Sequence, residues 1–189
     1  GARALGSIEA DHPLQALRPV QPCVAGQRWD WDGVRFEVLH PVRPVADAPG
    51  LAPNAHSCVL RIAAGGGGAV ALLAGDIERA QEQALVDGGA PLAADLLLVP
   101  HHGSKTSSSD AFLDAVHPRT ALVQAGYRNR FGHPAPEVAG RYRQRGTGLV
   151  QTPLCGAAHW SSAAPAAVRC EREAARRYWH HVAYQDQPE

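Results

Sequence analysis

The sequence contains no methionine, and its apolar runs, such as Ala69 to Ala74, are short. Because a transmembrane helix needs about 20 apolar residues in a row, we expect none in this chain. A net charge of one sign is also absent, since 18 Lys and Arg residues balance 18 Asp and Glu residues. This balance argues against a strongly basic nucleic-acid coat protein and against an acidic tail protein.

Cysteines are few, and none forms a Cys-x-x-Cys pair, which argues against a zinc ribbon or a thioredoxin-like motif. We interpret the four cysteines as ordinary buried thiols, because free cysteine is among the most buried residue types. A disulfide between Cys155 and Cys170 in an oxidising compartment is the alternative. The chain begins at Gly1 without the regions of a signal peptide, which is typical of a processed chain or a piece of a longer protein.

Glycine and proline are abundant, with 19 and 15 residues, which favours a loop-rich domain over a helix bundle. Asp32-Gly33 between alternating apolar residues predicts a hairpin over 29–39. Residues 41–56 read as a loop. Further along, the patterns predict strands over 58–63, 69–74, 94–99, 120–124, 148–152 and 157–161, and helices over 77–86, 107–116 and 136–145. This alternation predicts an α/β (α+β layered) domain.

Polar side chains follow two buried strands at the point where each strand ends. Asp76 follows one strand, and His101 and His102 follow the next. Ligands bind beyond the carboxyl ends of strands in open α/β sheets, and carboxylate with imidazole suits Zn²⁺ or Mn²⁺. The alternatives are a helix N-cap for Asp76 and simple loop polarity for the histidines. Adjacent loop residues rarely both bind one ion, so we expect one histidine to be a ligand and the other a supporting contact.

Two further polar clusters flank strands. Residues 127–134, with Asn129 and His133, offer groups that suit a phosphate or a leaving group, although a turn explains them equally well. Residues 54–57 fit an Asx or Ser turn. The arginines of 141–145 and 169–177 are interpreted mainly as a solvated face rather than phosphate contacts. Tyr178-Trp179 is interpreted as core packing rather than as a base-stacking platform.

The order of these motifs resembles the metallo-β-lactamase-like domain of the ComEC family, the bacterial inner-membrane channels of DNA uptake in competence. The resemblance covers roughly residues 54–160 and is carried by Asn54-x-x-Ser57, Leu72-Leu73-x-Gly75-Asp76, Pro100-His101-His102-Gly103-Ser104-Lys105 and Asn129-x-x-Gly132-His133-Pro134. It implies a four-layer αββα sandwich with a metal site at one sheet edge. It also implies nuclease action on the non-transported DNA strand by a two-metal centre of Zn or Mn.

The resemblance assigns a role to each matching position. Asp76 would bridge the two metals, His101 or His102 would be the last ligand, and His133 would contact the substrate or the transition state. Asn54 and Ser57 would support the site. The candidate substrate-binding residues are therefore Asn54, Ser57, Ser104, Lys105 and Asn129.

The sequence departs from the family pattern in two places. The main ligand motif, His-x-(His/Asp)-x-Asp-His, is absent, and residues 1–5 resemble the helix that follows it. Thr152-Pro153 stands where the family has Thr-Asp. We therefore expect residues 1–164 to be the incomplete C-terminal portion of the domain and residues 165–189 to be an Arg-rich tail.

The resemblance implies a periplasmic domain of an inner-membrane protein. Its partners would be single-stranded DNA, the membrane channel portion of the same protein and the upstream half of the domain. Two alternatives remain open: a non-catalytic DNA-guiding or scaffold module, and a hydrolase of another ester, such as a phosphorylcholine ester or a lactone. We predict that this chain alone binds metal weakly and hydrolyses nothing, because it supplies too few ligands.

Overall fold

The computed structural model describes residues 4–8, 12–47 and 50–178. The strands are β1 (Ala4–Gly6), β2 (Val20–Pro22), β3 (Arg28–Trp31), β4 (Val34–His40), β5 (Val59–Ala64), β6 (Val70–Leu73), β7 (Leu96–Leu98), β8 (Thr120–Val123), β9 (Gly148–Gln151), β10 (Ala158–Trp160) and β11 (Val168–Cys170). The helices are α1 (Leu14–Leu17), α2 (Arg79–Asp87), α3 (Asp110–Val116), α4 (Pro136–Gln144), α5 (Thr152–Cys155) and α6 (Glu171–Ala174). Single turns of 3₁₀ helix cover 45–47, 53–56, 65–67 and 100–103.

A mixed sheet of seven strands, β3 to β9 in chain order, forms the centre of the molecule. Its first four strands pair antiparallel, and β6 to β9 pair parallel. The β3–β4 hairpin turns at Asp32 and Gly33, both with positive φ, as the sequence predicts. A mixed α/β fold is therefore confirmed.

The parallel half of the sheet carries the core. Leu72, Leu97, Ala121 and Val123 are fully buried, because helices connect these strands and α2 packs on α3. In this half, β6, β7 and β8 are parallel, so their carboxyl ends open at one edge. The other sheets within the described ranges are the two-stranded pairs β1–β2 and β10–β11.

The four cysteines are not free thiols, and that interpretation is wrong. Cys23 is joined to Cys58 and Cys155 to Cys170, with Cα–Cα distances of 6.0 and 4.7 Å. Burial preference reports only that a thiol avoids water, whereas pairing depends on long-range proximity. The sequence predicts a boundary between the domain and the tail after residue 164. The second disulfide and the β10–β11 pairing join residues on the two sides of this boundary.

The first residues also differ from expectation. Ala4 and Leu5 belong to β1, which pairs parallel with β2 and so satisfies its backbone groups outside a helix. Positions 1–3 of the predicted helix lie outside the described residues, as does Trp179. Within the described ranges, no helix combines the length and the apolar character needed to cross a bilayer.

Candidate active site at the carboxyl edge of the sheet

The turn after β7 places two imidazoles beside the end of β6. His101 and His102 have φ values of 48° and 56°, a left-handed conformation that is rare outside glycine. The backbone N–H of His101 donates to the carbonyl of Gly75 at 3.0 Å, which holds the two strand ends together. Strained backbone of this kind concentrates at functional sites.

His102 faces Asp76. The Nε2 atom of His102 lies 3.6 Å from the Oδ1 atom of Asp76, and both side chains are about half exposed. The Nδ1 atom of His102 lies 2.8 Å from the carbonyl oxygen of Gln124. A carbonyl can only accept, so Nδ1 carries the hydrogen and the Nε2 lone pair of the neutral ring points towards Asp76.

His101 is held by protein groups on both ring nitrogens. Its Nδ1 lies 3.2 Å from Oε1 of Glu78, and its Nε2 lies 3.4 Å from Nδ2 of Asn54. Asn54 also donates to Glu78 at 3.3 Å, which closes a three-residue network. The structure therefore distinguishes the two histidines: His101 is engaged within this network, whereas His102 presents its Nε2 to Asp76.

Asp76 is not a helix N-cap, so that alternative is wrong. Helix α2 begins at Arg79 with Glu78 as its N-cap, and Glu78 donates its N–H to the side chain of Gln81 at 3.2 Å. The N–H of Asp76 instead donates to the hydroxyl of Ser57 at 3.1 Å. Ser57 thus positions the backbone of Asp76. The carboxylate of Asp76 remains accessible to a ligand at the open edge of the sheet.

His133 lies on the loop after β8, close to the paired histidines. Its ring centroid lies 6.2 Å from that of His101. Burial, with smaller effects from His101 and His102, lowers its pKa below the ordinary value, so the ring is neutral at pH 7. Its Nδ1 atom is buried and has no hydrogen-bond partner among the described residues.

Asn129 holds the backbone of this loop. Its amide nitrogen donates to the carbonyl of His133 at 2.7 Å, and its amide oxygen accepts from the N–H of His133 at 2.9 Å. Because both ends of its side chain are engaged, Asn129 positions His133. Thr152 acts similarly, since its hydroxyl accepts from the N–H of Ala125 and donates to the Ala125 carbonyl.

Lys105 does not join this group of side chains, and Ser104 reaches it only through Thr106. Ser104 is buried, and its hydroxyl lies 3.2 Å from that of Thr106, which lies 3.3 Å from Nδ1 of His101. Lys105 is 71% exposed and lies 3.8 Å from the carboxylate of Glu137 on α4. Arg141 and Arg145 are not simply a solvated face, because Arg141 donates to two carbonyls of the serine run and Arg145 pairs with acids of α3.

A cavity of about 460 Å³ opens beside His102. It is lined by His102, Gln124, Ala125, Gly126, Asn129, Phe131, His133 and Thr152. A mainly apolar wall with a few polar side chains is typical of a site that binds a partly apolar ligand.

Asp76 and His102 fit a shared metal ion as two of its ligands. Donors of a tetrahedral zinc with bonds of about 2.0–2.2 Å lie about 3.4 Å apart, close to the 3.6 Å between these two atoms. The hydrogen bond from Nδ1 to a backbone carbonyl is the usual support of a histidine ligand. In the part of the chain that the structure describes, no three His, Cys, Asp or Glu side chains form a metal-binding group.

Three groups that contact the histidines were not predicted from the sequence: the carboxylate of Glu78, the hydroxyl of Thr106 and the carbonyl of Gln124. Glu78 follows Asp76 by two positions, and this second carboxylate after a strand end was the available signal. The carbonyl of Gln124 carries no sequence signal, because any residue presents the same group there.

No family model matches the chain. Among curated proteins, the chain is 42% identical to the competence protein ComA of Neisseria gonorrhoeae over 153 residues, covering 80% of this chain and 21% of the relative. It is 34% identical to recombination protein 2 of Haemophilus influenzae, covering 71% of this chain and 16% of the relative. It is 36% identical to the ComE operon protein 3 of Bacillus subtilis, covering 56% of this chain and 13% of the relative.

The chain thus spans no more than about a fifth of the length of the relatives reported above. All three matches cover more than half of this chain, so the similarity is not confined to one short motif. By sequence, this chain is similar to one segment of each of these longer bacterial proteins, one of which is named a competence protein.

Proposed function

We propose that this chain is the C-terminal portion of a metallo-β-lactamase-like domain in a competence DNA-uptake protein. The domain acts as a metal-dependent phosphodiesterase on the non-transported DNA strand. The observation that carries the proposal is the approach of Asp76 and His102 at the carboxyl edge of the sheet. The similarity to the Neisseria relative, which is named a competence protein, supports the biological context.

In this proposal, Asp76 and the Nε2 atom of His102 hold divalent metal, Zn or Mn, in a two-metal centre. Such a centre, when bound, lowers the pKa of a coordinated water towards 7 and neutralises phosphate charge. His101 orients Glu78 and Asn54 at the rim. His133, whose pKa is lowered by burial, donates a ring N–H to an oxygen of the scissile phosphate.

The remaining ligands come from the upstream half of the same domain, which also borders the membrane channel portion. The two disulfides support a periplasmic position for the domain of an inner-membrane protein, because disulfides persist in oxidising compartments.

The test uses the longer protein that contains this chain, with Mn²⁺ or Zn²⁺ and two substrates, bis-p-nitrophenyl phosphate and single-stranded DNA. We expect His102→Ala and Asp76→Asn to lower kcat/KM by more than about 100-fold, because each removes a ligand. His101→Ala should cost about 10- to 100-fold, because His101 acts through its neighbours. His117→Asn, at an exposed position after α3, is the matched control and should leave the rate unchanged.

The alternatives give different outcomes in the same assay. A protein that binds DNA but hydrolyses neither substrate would be a DNA-guiding module. Hydrolysis of a lactone or a phosphorylcholine ester without action on DNA would identify a hydrolase of another ester. Equal losses in the His101 and His102 variants would contradict the ligand assignment.

A further inference from the structure

The loop between β8 and α4 carries exposed aromatic rings beside unpaired cations. Phe131 is 67% exposed although it lines the cavity beside His102, and Tyr127 on the same loop is 49% exposed. The guanidinium carbon of Arg130 lies 4.8 Å from the centre of the Phe131 ring, and that of Arg128 lies 5.3 Å from the centre of the Tyr127 ring. The Phe131 ring thus offers an exposed face at a cavity, on which a planar ligand can stack.

The cations of this loop are available for an anion. Between Gln124 and Pro134 the sequence contains no Asp or Glu. Across the described residues, no ion pair involves Arg128 or Arg130. Arg145, by contrast, is paired with Asp110 and Asp114. The loop thus presents positive charge that the protein itself does not neutralise.

The loop is also held in one arrangement. Phe131 stacks on His133, with ring centroids 5.7 Å apart and an angle of 17° between the planes. Asn129 binds both backbone groups of His133, as described above. Because the Phe131 ring is already held in place without a ligand, binding loses little conformational entropy of this side chain.

The ring and the candidate catalytic group share one cavity. Phe131 and His102 both line the cavity of about 460 Å³. A ligand with a planar apolar part on Phe131 would therefore extend towards His102. Planar rings joined by phosphates are the chemistry of a nucleic acid, and unpaired bases stack on aromatic side chains and on guanidinium planes.

We propose that the loop over residues 126–133 is a subsite for single-stranded nucleic acid, in which Phe131 stacks on a base and Arg128 and Arg130 contact the flanking phosphates. The subsite rests on the proposed function and specifies it, because it selects a substrate with unpaired bases over a simple phosphodiester. A duplex keeps its bases stacked internally and presents only its phosphates here.

Fluorescence anisotropy with this chain and a labelled oligonucleotide of twelve thymidines, in EDTA so that no metal-dependent hydrolysis occurs, tests the subsite. We expect Phe131→Ala to raise Kd by about 5- to 100-fold, the effect of losing one stacked base. Trp31→Ala is the matched control, because Trp31 is 73% exposed on the edge strand β3, outside the cavity. It should change Kd by less than about two-fold.

A second measurement compares the thymidine strand with an abasic strand. The wild-type chain should bind an abasic oligonucleotide of the same length more weakly, and Phe131→Ala should weaken that binding no further. Arg130→Gln should lower the dependence of log Kd on log salt by about 0.7, the value for one single-strand phosphate contact. Equal binding of the abasic and thymidine strands, or equal effects of Phe131→Ala and Trp31→Ala, would overturn the subsite.

The failure of the subsite and the failure of the proposed function are distinguishable. If the wild-type longer protein hydrolyses neither bis-p-nitrophenyl phosphate nor DNA, the phosphodiesterase assignment fails whatever the binding data show. If hydrolysis is observed but Phe131→Ala binds the oligonucleotide as the wild type does, the subsite alone fails.

Discussion

At the scale of single residues, the structure assigns different surroundings to chemically identical side chains. His101 and His102 are neighbours in the chain, yet one is bound by Glu78 and Asn54 and the other faces Asp76 across 3.6 Å. The difference arises from the left-handed backbone of both residues, which turns successive side chains in different directions. A third histidine, His40, has yet another environment, because it is buried behind the site at the end of β4.

The burial of His40 predicts a dependence of stability on pH. Burial lowers the pKa of His40 below its ordinary value of 6.5, with a smaller contribution from His56, and outweighs the hydrogen bond to the Ser57 carbonyl. The unfolded chain therefore binds a proton more readily than the folded one. The free energy of unfolding is fully present above pH 6.5 and falls as the pH drops below it.

Urea unfolding between pH 7.5 and 5 measures this effect. His40→Asn keeps a donor for the Ser57 carbonyl and removes the titration, so the loss of stability at low pH should shrink. His117→Asn, at an exposed histidine with positive φ, serves as the control and should leave the pH profile unchanged. An identical profile for the His40 variant and the wild type would refute the prediction.

At the scale of elements, the site depends on two turns that touch. The turn over 100–103 carries His101 and His102, and the loop before α4 carries His133. The carbonyl of Gly103 accepts from the N–H of Ala135 at 2.9 Å. A Cβ on Gly103 would lie 2.7 Å from the Cβ of Pro134, so a side chain at this position would separate the two turns.

We expect Gly103→Ala to lower the free energy of unfolding by about 3 kcal/mol, combining left-handed strain with overpacking. Gly89→Ala is the matched control, because Gly89 also has positive φ but nothing lies within 4 Å of a Cβ there. The control should cost only about 1 kcal/mol. Chemical denaturation measures the free energy of unfolding of the two variants. Equal decreases in this free energy would show that the contact with Pro134 contributes nothing.

The disulfide between Cys155 and Cys170 joins α5 to the end of β11. It closes a segment with a sequence separation of 15, for which chain entropy predicts a stabilisation of about 3 kcal/mol. We expect the double variant Cys155→Ala/Cys170→Ala to lose about that amount in urea unfolding under oxidising conditions. Peptide mapping without reductant should show both disulfide-linked pairs. If thiol titration of the denatured wild type finds four free thiols, the two disulfides are contradicted.

At the scale of the whole molecule, the described residues supply only two ligands of the metal site that we propose. Asp76 and His102 come from neighbouring strand ends, and no group of three ligands forms within the described ranges. A catalytic zinc needs about three protein ligands, and a two-metal centre needs more. The site is therefore completed, in our proposal, by another part of a longer protein.

This incompleteness leads to a prediction for the 189-residue chain on its own. Calorimetry with Mn²⁺ or Zn²⁺ should show weak uptake that His102→Ala reduces further, and no phosphodiester should be hydrolysed. The same titration on the longer protein should show tight, stoichiometric binding. Tight binding by the isolated chain would instead mean that it contains ligands that the proposal omits.

The order of the elements between residues 29 and 160, and the sheet edge at which Asp76 approaches the histidines, were largely predictable from the sequence. Hydrophobic periodicity and Gly or Pro punctuation are local, and they located the hairpin at Asp32-Gly33 and the strands that end before Asp76 and His101. Since carboxyl ends of parallel strands share an edge, the approach of Asp76 to the histidines followed from the same patterns.

Only the tertiary structure decided which imidazole faces Asp76, how the cysteines pair and that Glu78 rather than Asp76 caps α2. Each of these depends on a backbone turn or on contacts between residues far apart in the chain, and no local pattern encodes such distances. A strand ends where its residues dictate, but the partner that a side chain meets there is set by the packing of the whole sheet.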